Sequence, residues 1–559
     1  MSESSVSAPI VTPSWATRLV RPFRVGEGAL VAALVFAATA IRLPDLLRYP
    51  HFTDETVEVG WALQIWQGAH FPLTASDAYY GPLHAYLVAG CLWLFGPSLI
   101  VPRVIVLVIG VLTIIVTYWL GRELGGQSVG LVAAALLATA PQHIIVNSHV
   151  AWQNATTPFY AALCCWALVR GLHTKRDSYL LASGGLFGLT MQTHPGAIVL
   201  LPALVAAFAA ALWARRSWAL LRRPWPYLAV LAALITYSPV LIYNARTHLS
   251  GIVRIQTHRS YAYEMHPTWG RYWHNLANLL FELMRMIANP TRIPAHRWRY
   301  FTDPHLMIVA LLCLAGLVLL ARKREPLPLL ALLSAALIMP RFNHAYGVEG
   351  DRFMLTGRYV AFLLPLLAVA IAVAAVTLAT LLRDRLACYG RAVTRAVGRV
   401  IPVVAIAVLV LYPLVPLTHY YQQEARRDPD NGSLLATVRF VSATRGSNTP
   451  VLIDTNLDRI DLHDGAAAAE ILDSLLTLDR VPHQVVEVHK VMGEMTRNLD
   501  LHDTQALPLV IMTRHQYNRM REEVPLTRIS PRYTLRELYP GLASYYAVDR
   551  VAPSGRRSG

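Results

Sequence analysis

Runs of apolar residues recur along the first 417 residues, and they constrain the fold more than any other feature of the sequence. Only 15% of the residues are charged and 55% are hydrophobic, whereas a soluble domain usually carries about 25% charged residues. A helix needs about 20 apolar residues to cross a bilayer. The sequence therefore predicts a polytopic α-helical membrane protein with about 11 transmembrane helices, at 28–43, 103–120, 128–146, 155–170, 179–191, 196–214, 226–243, 305–321, 327–340, 359–382 and 400–417.

The basic residues predict how these helices are oriented, because short cytoplasmic loops carry an excess of Lys and Arg. The apolar segment Pro82–Phe95 has only 14 residues, so we interpret it as an interfacial or re-entrant helix and not as a span. With residues 1–27 in the cytoplasm, all basic connections then fall on the cytoplasmic side of the cell membrane, and the odd number of spans places the C-terminus outside. The basic connections contain Arg122; Arg170, Lys175 and Arg176; Arg215, Arg216, Arg222 and Arg223; Arg322, Lys323 and Arg324; and Arg383, Arg385, Arg391, Arg395 and Arg399.

The excess positive charge is confined to the apolar part of the chain. From Thr418 onward, 17 Lys and Arg stand against 18 Asp and Glu, whereas the whole chain has 50 against 34. This distribution argues against nucleic-acid binding and favours contact with membrane lipids and an anionic lipid substrate. We predict a cytoplasmic segment at 1–27, a transmembrane domain at 28–417 and a small extracytoplasmic α/β domain at 418–559, where β-like runs alternate with helical ones.

The first external region begins with acidic residues at the start of an amphipathic helix on the membrane surface. Asp54 and Glu55 precede Val57, Trp61 and Ile65, which recur at helical spacing. One interpretation is helix capping, because acidic side chains stabilise a helix N-terminus. The other is a carboxylate that takes a proton from an acceptor hydroxyl or holds a metal ion. The residues alone leave both interpretations open.

Short motifs between residues 54 and 125, and again near residue 358, follow one another in a definite order. They are Asp54-Glu55-Thr56, Tyr80-Gly81-Pro82-Leu83-His84-Ala85-Tyr86, Leu94-Phe95-Gly96, Arg103 at the start of a long apolar helix that ends Gly121-Arg122-Glu123-Leu124-Gly125, and Gly357-Arg358-Tyr359. Their order and spacing resemble the GT-C superfamily of membrane glycosyltransferases. The bacterial protein O-mannosyltransferase-like and lipid A aminoarabinose transferase-like enzymes are the most similar groups.

This resemblance implies an enzyme that transfers a sugar from a polyprenyl-phosphate donor to an acceptor on the extracytoplasmic face, with inversion at the anomeric carbon. Asp54 matches the acidic motif of the family and inherits the role of general base. Glu55 supports it or contacts the acceptor or a metal. The acceptor is a protein hydroxyl, a glycolipid or a cell-wall polymer. No cofactor is implied with certainty, and the participation of a divalent metal ion is left open.

Three positions depart from the pattern of these relatives. Tyr80 and Gly81 stand where the aminoarabinose transferases have Glu-Lys, so a metal ligand and a phosphate-binding lysine are missing. The run 149–154 replaces an Arg and an Asp at the outer start of the fourth helix. His194 replaces a lysine at the end of the fifth, where it either donates to the phosphate or simply ends the helix. We predict that the substrate-binding residues are Tyr80, His84 and Asn154.

The donor phosphate needs cationic partners, because negative charge develops on it as the sugar leaves. Arg254 and Arg259 lie in the second external region, and Arg358 stands at the outer end of the run 359–382, where it matches the Arg-Tyr of the family. The alternative for the first two arginines is contact with lipid headgroups. We predict that the donor phosphate is bound by Arg358, His194, Arg254 and Arg259.

Two other functions fit a polytopic protein with an external domain. A lipid or solute transporter or flippase usually has charged residues well inside its spans, and this sequence has few there. A non-catalytic envelope assembly protein is favoured by the missing acid and the missing lysine. Substitution of Asp54 by Asn separates the glycosyltransferase from the assembly protein, because it inactivates an enzyme that uses this base and leaves an assembly protein unchanged.

Overall fold

The structure is a computed structural model. It describes residues 25–43, 46, 53–75, 79–215, 218–251, 253, 268–288, 303–341, 357–388, 392–419, 437–443, 451–455, 468–486, 509–512, 518, 533–539 and 544–550. Within these ranges, the chain up to residue 419 is almost entirely helical, and a five-stranded sheet follows residue 450.

Helical structure occupies each of the eleven predicted apolar runs, with two helices in 128–146, and a short helix occupies the segment that was predicted to be interfacial. Several of the helices begin with proline at their first or second position, where its fixed φ and missing N–H do no harm. The helices are α1 (Val25–Arg42), α2 (Thr53–Trp66), α3 (Leu83–Phe95), α4 (Val101–Gly125), α5 (Gln127–Thr139), α6 (Pro141–His149), α7 (Thr157–Thr174), α8 (Asp177–Thr193), α9 (Leu200–Arg215), α10 (Trp225–Arg246), α11 (Trp269–Ala288), α12 (Pro304–Arg322), α13 (Leu327–Ile338), α14 (Leu364–Ala387) and α15 (Ala392–Leu411).

Among the described residues, 6 helices are long and apolar enough to cross a membrane, or up to 7 if a bent pair is one span. The bent pair is α5 and α6. Four other predicted runs form α1, α7, α8 and α13, which do not reach this standard of length and hydropathy. The count of eleven spans, the side of the membrane on which each end lies, and the domain boundaries therefore stay predictions. The six helices are Val101–Gly125, Pro195–Ala214, Trp225–Arg246, Pro304–Arg322, Ala361–Ala387 and Ala396–His419.

The predicted run 128–146 is not one straight helix, because α5 and α6 meet at an angle of 67°. Pro141 follows the bend, and a residue before proline avoids the helical region; Ala140 is accordingly extended, with ψ 121°. Buried Arg42 stabilises the bend. Its Nη1 donates to the carbonyl oxygen of Ala138 at 2.9 Å, and its Nε donates to the Ser148 hydroxyl at 2.9 Å. The guanidinium therefore joins α1 to the end of α5 and to α6.

Small residues allow close contact between α8 and α10. A Cβ built on Gly184 would overlap the carbonyl oxygen of Ala229, and one built on Gly188 would overlap the hydroxyl of Thr236. The two glycines are four residues apart and so lie on one face of the helix. This spacing is typical of closely packed helix pairs in membranes.

The residues after 450 form a small α/β unit, as the sequence predicts. The sheet has the order β2-β1-β3-β5-β4; β1 is parallel to β2 and β3, and β5 is antiparallel to β3 and β4. Helix α16 (Ala468–Leu478) lies between β1 and β2 in the chain and packs into the same core. The sequence did not predict the hairpin of β4 and β5. The strands are β1 (Val451–Asp454), β2 (His483–Val486), β3 (Leu509–Met512), β4 (Tyr533–Tyr539) and β5 (Ser544–Arg550).

Helix α16 docks on α2 and on the loop before α4. Leu478 is buried in the same apolar cluster as Val59 of α2. Gly60 faces Ser474 so closely that a Cβ on it would lie 3.0 Å from the hydroxyl oxygen. Arg480 donates from Nε to the carbonyl oxygen of Pro97 at 3.0 Å. The C-terminal unit therefore covers the helix that carries the predicted catalytic acids.

Candidate active site

The first turn of α2 carries both predicted catalytic acids. Asp54 belongs to the helix by its backbone, and its side chain lies outside the described residues. Glu55 is only 1% exposed, and its two carboxylate oxygens accept hydrogen bonds from Nε and Nη2 of Arg103, each at 2.8 Å. The N–H of Ala151 donates to Oε1 of Glu55 at 3.0 Å. Glu55 therefore joins α2 to α4 and to the segment after α6, and this arrangement favours a positioning role for it.

Arg358 lies between two aromatic side chains. Its Cζ is 4.2 Å from the centroid of the Trp152 ring and 4.5 Å from that of Tyr359, and its Nη2 donates to the Tyr359 hydroxyl at 2.9 Å. Stacking on aromatic faces fixes the plane of a guanidinium, whose N–H groups bind oxyanions in that plane. Its neighbour Gly357 permits a close approach to α6, because a Cβ there would lie 2.9 Å from Oε1 of Gln142.

His194 lies at the end of α8, between the two tyrosines of the predicted motifs. Its ring centroid is 5.8 Å from that of Tyr80 and 5.2 Å from that of Tyr359. Burial, with the positive charge of Arg358, lowers the pKa of His194 to about 3. The ring is therefore neutral at pH 7. Since Nδ1 accepts a hydrogen bond from the N–H of Gly196 at 3.0 Å, the ring proton lies on Nε2, and His194 offers an N–H donor without a charge.

The structure brings some of the predicted site residues together and leaves others undescribed. Ring contacts lead from Tyr80 through His194 and Tyr359 to Arg358. Gly81 donates its N–H to the carbonyl oxygen of Gln192 at 2.8 Å, which ties the Tyr80 loop to the end of α8. The predicted phosphate ligands Arg254 and Arg259 lie outside the described residues.

The other predicted substrate-binding residues, His84 and Asn154, are both buried. His84 lies on α3, where burial lowers its pKa to about 4, so the ring is neutral at pH 7. Asn154 lies in a 3-10 turn, Gln153–Thr156, that contacts α3, α6, α8 and the turn containing Arg358. Asn154 is therefore close to the proposed phosphate ligand in the fold, and His84 lies on a helix that contacts the same turn.

Apart from Asn154, sequence reasoning missed two groups of buried polar residues near these side chains. The first runs through α6 and the turn after it: Gln142, His143, Asn147, Ser148, His149, Gln153, Asn154, Thr156 and Thr157. The second is a stripe on α11 that consists of Asn275, Asn278, Glu282 and Arg285. Both carry a sequence signal, because polar residues in the first are dense within an apolar stretch, and those of the second recur at helical spacing beside apolar ones.

Metal binding has no support from side chains within the described ranges. No group of three or more His, Cys, Asp or Glu residues is placed there to hold an ion. Because the side chain of Asp54 lies outside those ranges, this result leaves the participation of a metal at Asp54 open.

Comparison with known proteins agrees with this architecture. The sequence profile of the family described as dolichyl-phosphate-mannose-protein mannosyltransferase matches residues 79–243. The crystal structure of ArnT from Cupriavidus metallidurans in the apo state superposes with a TM-score of 0.55 and 13% identity, covering 94% of this chain and 98% of that chain. The structure of the same enzyme bound to undecaprenyl phosphate gives a TM-score of 0.51 and 13% identity, covering 94% and 97%.

The chain has the fold of the GT-C membrane glycosyltransferases. The resemblance that the sequence motifs indicate is thereby confirmed. Of the motifs that carry it, those from Tyr80 to Gly125 fall within the matched residues 79–243, whereas Asp54-Glu55-Thr56 and Gly357-Arg358-Tyr359 lie outside them. No curated protein sequence matches the chain.

Proposed function

We propose that this protein is an integral membrane glycosyltransferase that transfers one sugar from a polyprenyl-phosphate donor to an acceptor on the extracytoplasmic face, with inversion at the anomeric carbon. The observation that carries the proposal is the Arg358 guanidinium, buried between Trp152 and Tyr359 in a fold whose solved relative binds undecaprenyl phosphate. A buried, stacked guanidinium suits a phosphate that gains negative charge as the sugar leaves.

In this proposal the reaction is a direct displacement at the anomeric carbon. Asp54 accepts the proton of the acceptor hydroxyl as its oxygen attacks, and the C–O bond to the donor phosphate breaks. Arg358 stabilises the phosphate that leaves, and the Nε2–H of His194 donates a further hydrogen bond to it. Arg254 and Arg259 supply additional positive charge from the second external region. Glu55 acts through Arg103 by holding α2 in place.

The test is a transfer assay with purified full-length protein and three variants. Radiolabelled polyprenyl-phosphate sugars are supplied as donors, detergent-extracted native membranes supply the acceptor, and each reaction is run with and without a chelator. Asp54→Asn and Arg358→Gln are compared with Asp384→Asn, an exposed carboxylate that pairs with Arg383. We expect transfer by the wild type and by Asp384→Asn, and a loss of about 100-fold or more for the other two.

Each outcome has a defined meaning. Equal transfer by the wild type and by Asp54→Asn removes Asp54 from the reaction and leaves it a helix cap. Loss of transfer in the chelator lane shows that the reaction needs a metal ion, whereas full transfer in that lane supports proton transfer alone. Failure of Arg358→Gln to change the donor KM or kcat contradicts the proposed phosphate site.

A further inference from the structure

We infer that the donor sugar is uncharged and that its hydroxyl groups are bound by a cluster of buried amide and hydroxyl side chains beside Arg358, an inference that rests on the proposed function. The cluster, which we name the amide cluster, consists of Gln142, Gln153, Asn154 and Thr157. Three of its members come from the segment 153–157, and Gln142 comes from the start of α6.

Each member is buried and has hydrogen-bonding capacity that the described part of the chain leaves unused. Both amide atoms of Gln142, Nε2 of Gln153, Oδ1 of Asn154 and Oγ1 of Thr157 have no hydrogen-bond partner there, and none of the four residues is more than 5% exposed. A buried amide or hydroxyl without a partner destabilises a folded protein. Four such groups in one place are expected where a polar ligand completes their hydrogen bonds.

The amide cluster adjoins the proposed phosphate ligand. The 3-10 turn that contains Gln153 and Asn154 contacts the turn that contains Arg358. Gln142 also reaches this turn, because its Oε1 lies 2.9 Å from the position of a Cβ built on Gly357. In the donor, only one oxygen atom lies between the phosphorus and the anomeric carbon of the sugar. A phosphate bound to Arg358 therefore holds the attached sugar close to the amide cluster.

The chemistry of this region fits hydroxyl groups better than a charged sugar. Amides and hydroxyls both donate and accept hydrogen bonds, as sugar hydroxyls do. A protonated amino sugar buried here would need a carboxylate partner. Among the described side chains, the carboxylates that border the region have interactions of their own: Glu55 binds Arg103, Glu58 accepts a hydrogen bond from the N–H of Gln153, and Glu282 is not free.

The experiment measures binding of donors to the purified full-length protein by titration calorimetry. The ligands are polyprenyl phosphate alone, its mannosyl, glucosyl, galactosyl and arabinosyl derivatives, and its 4-amino-4-deoxyarabinosyl derivative. The variant Thr157→Val removes an unpartnered hydroxyl without changing the shape of the side chain. Thr190→Val is the matched control, because its buried hydroxyl donates to the carbonyl oxygen of Leu186 at 2.7 Å within α8.

We expect a neutral sugar derivative to bind more tightly than polyprenyl phosphate, and the amino derivative to bind no more tightly. The gain from the sugar is the ratio of the Kd of polyprenyl phosphate to the Kd of its neutral sugar derivative. Thr157→Val should reduce this gain by about 3- to 10-fold, the value of one hydrogen bond. Its thermal midpoint should be unchanged or higher, because a buried unpartnered hydroxyl is lost. Thr190→Val should retain the whole gain.

Two results overturn the inference and leave the proposed function in place: tightest binding of the amino derivative, or an unchanged gain in Thr157→Val. If neither polyprenyl phosphate nor any of its sugar derivatives binds, the proposed function fails and the inference fails with it.

Discussion

The buried pair of Glu55 and Arg103 predicts a large and strongly non-additive effect on stability. Both side chains are 0–1% exposed, and two hydrogen bonds of 2.8 Å join them. Removing one partner leaves a buried charge uncompensated, which costs about 3–5 kcal/mol. Replacing both removes the charge altogether. The remaining loss is the unpartnered N–H of Ala151 and the carbonyl oxygen of Leu46, which loses the Nη1 donor of Arg103 at 2.7 Å, each worth about 1–3 kcal/mol. The two single variants should therefore sum to about 6–10 kcal/mol, more than the double variant.

The variants are Glu55→Met, Arg103→Met and the combination of both. Their free energies of unfolding are measured by titrating the purified protein with sodium dodecyl sulfate in mixed micelles and following tryptophan fluorescence. Arg383→Met is the control, because Arg383 is paired with Asp384 on the surface and is 57% exposed; we expect a change within about 0.5 kcal/mol. Additive losses in the double variant would refute the reasoning, since they would mean that the two charges do not compensate each other.

Three further predictions concern other parts of the fold. His173 lies past the predicted span 155–170 and bridges Glu123 and Glu325 at 2.8 Å each; although burial opposes it, these contacts raise the pKa of His173 to about 9. The protonated ring contributes about 3 kcal/mol of stability, which is present below pH 6.5 and lost as the pH rises through about 9. The thermal midpoint of the wild type should therefore fall between these pH values, whereas that of His173→Gln should not change. Gly184→Ala should destabilise the protein by about 1–3 kcal/mol, because the new methyl group meets the backbone of Ala229. Gly185→Ala should be tolerated, because the nearest atom to its new methyl group is 3.7 Å away. Equal free energies of unfolding in detergent for the two variants would contradict this packing. Gly60→Val should release α16 from α2 and expose the C-terminal unit to limited proteolysis, whereas Gly90→Val, which has open space around it, should leave the digestion pattern unchanged.

The sequence was sufficient to predict the elements whose signal is local. Apolar runs predicted the helices, and alternating short runs predicted the α/β unit after residue 450, because a spanning helix or a buried strand is defined by its own residues. The missed hairpin also had a local signal, since Pro540 and Gly541 separate two runs rich in tyrosine. The bend in α5–α6 was signalled by Pro141 and was missed because the surrounding residues are apolar.

The candidate site depends on pairings that no local pattern encodes. Arg103 was placed at the start of a helix, and Glu55 was interpreted as a cap or a catalytic acid, yet the two are 48 residues apart and bind each other. Arg358 was identified by its motif, while its stacking on Trp152 depends on how α6 turns after the bend. Proline can signal where a helix bends; only the packing of distant helices decides what the bend brings together.

Residues that touch in the folded protein leave the ribosome far apart in time. Arg480 and Pro97 are 383 residues apart in the chain, an interval of about 20–80 s at 5–20 residues synthesised per second. Throughout that interval, α2 is already made while the surface that later receives Leu478 has no cover from α16. A nascent chain of this protein therefore presents an apolar patch on α2 until α16 has been made, and any chaperone or protease that reaches this face meets the patch before it closes.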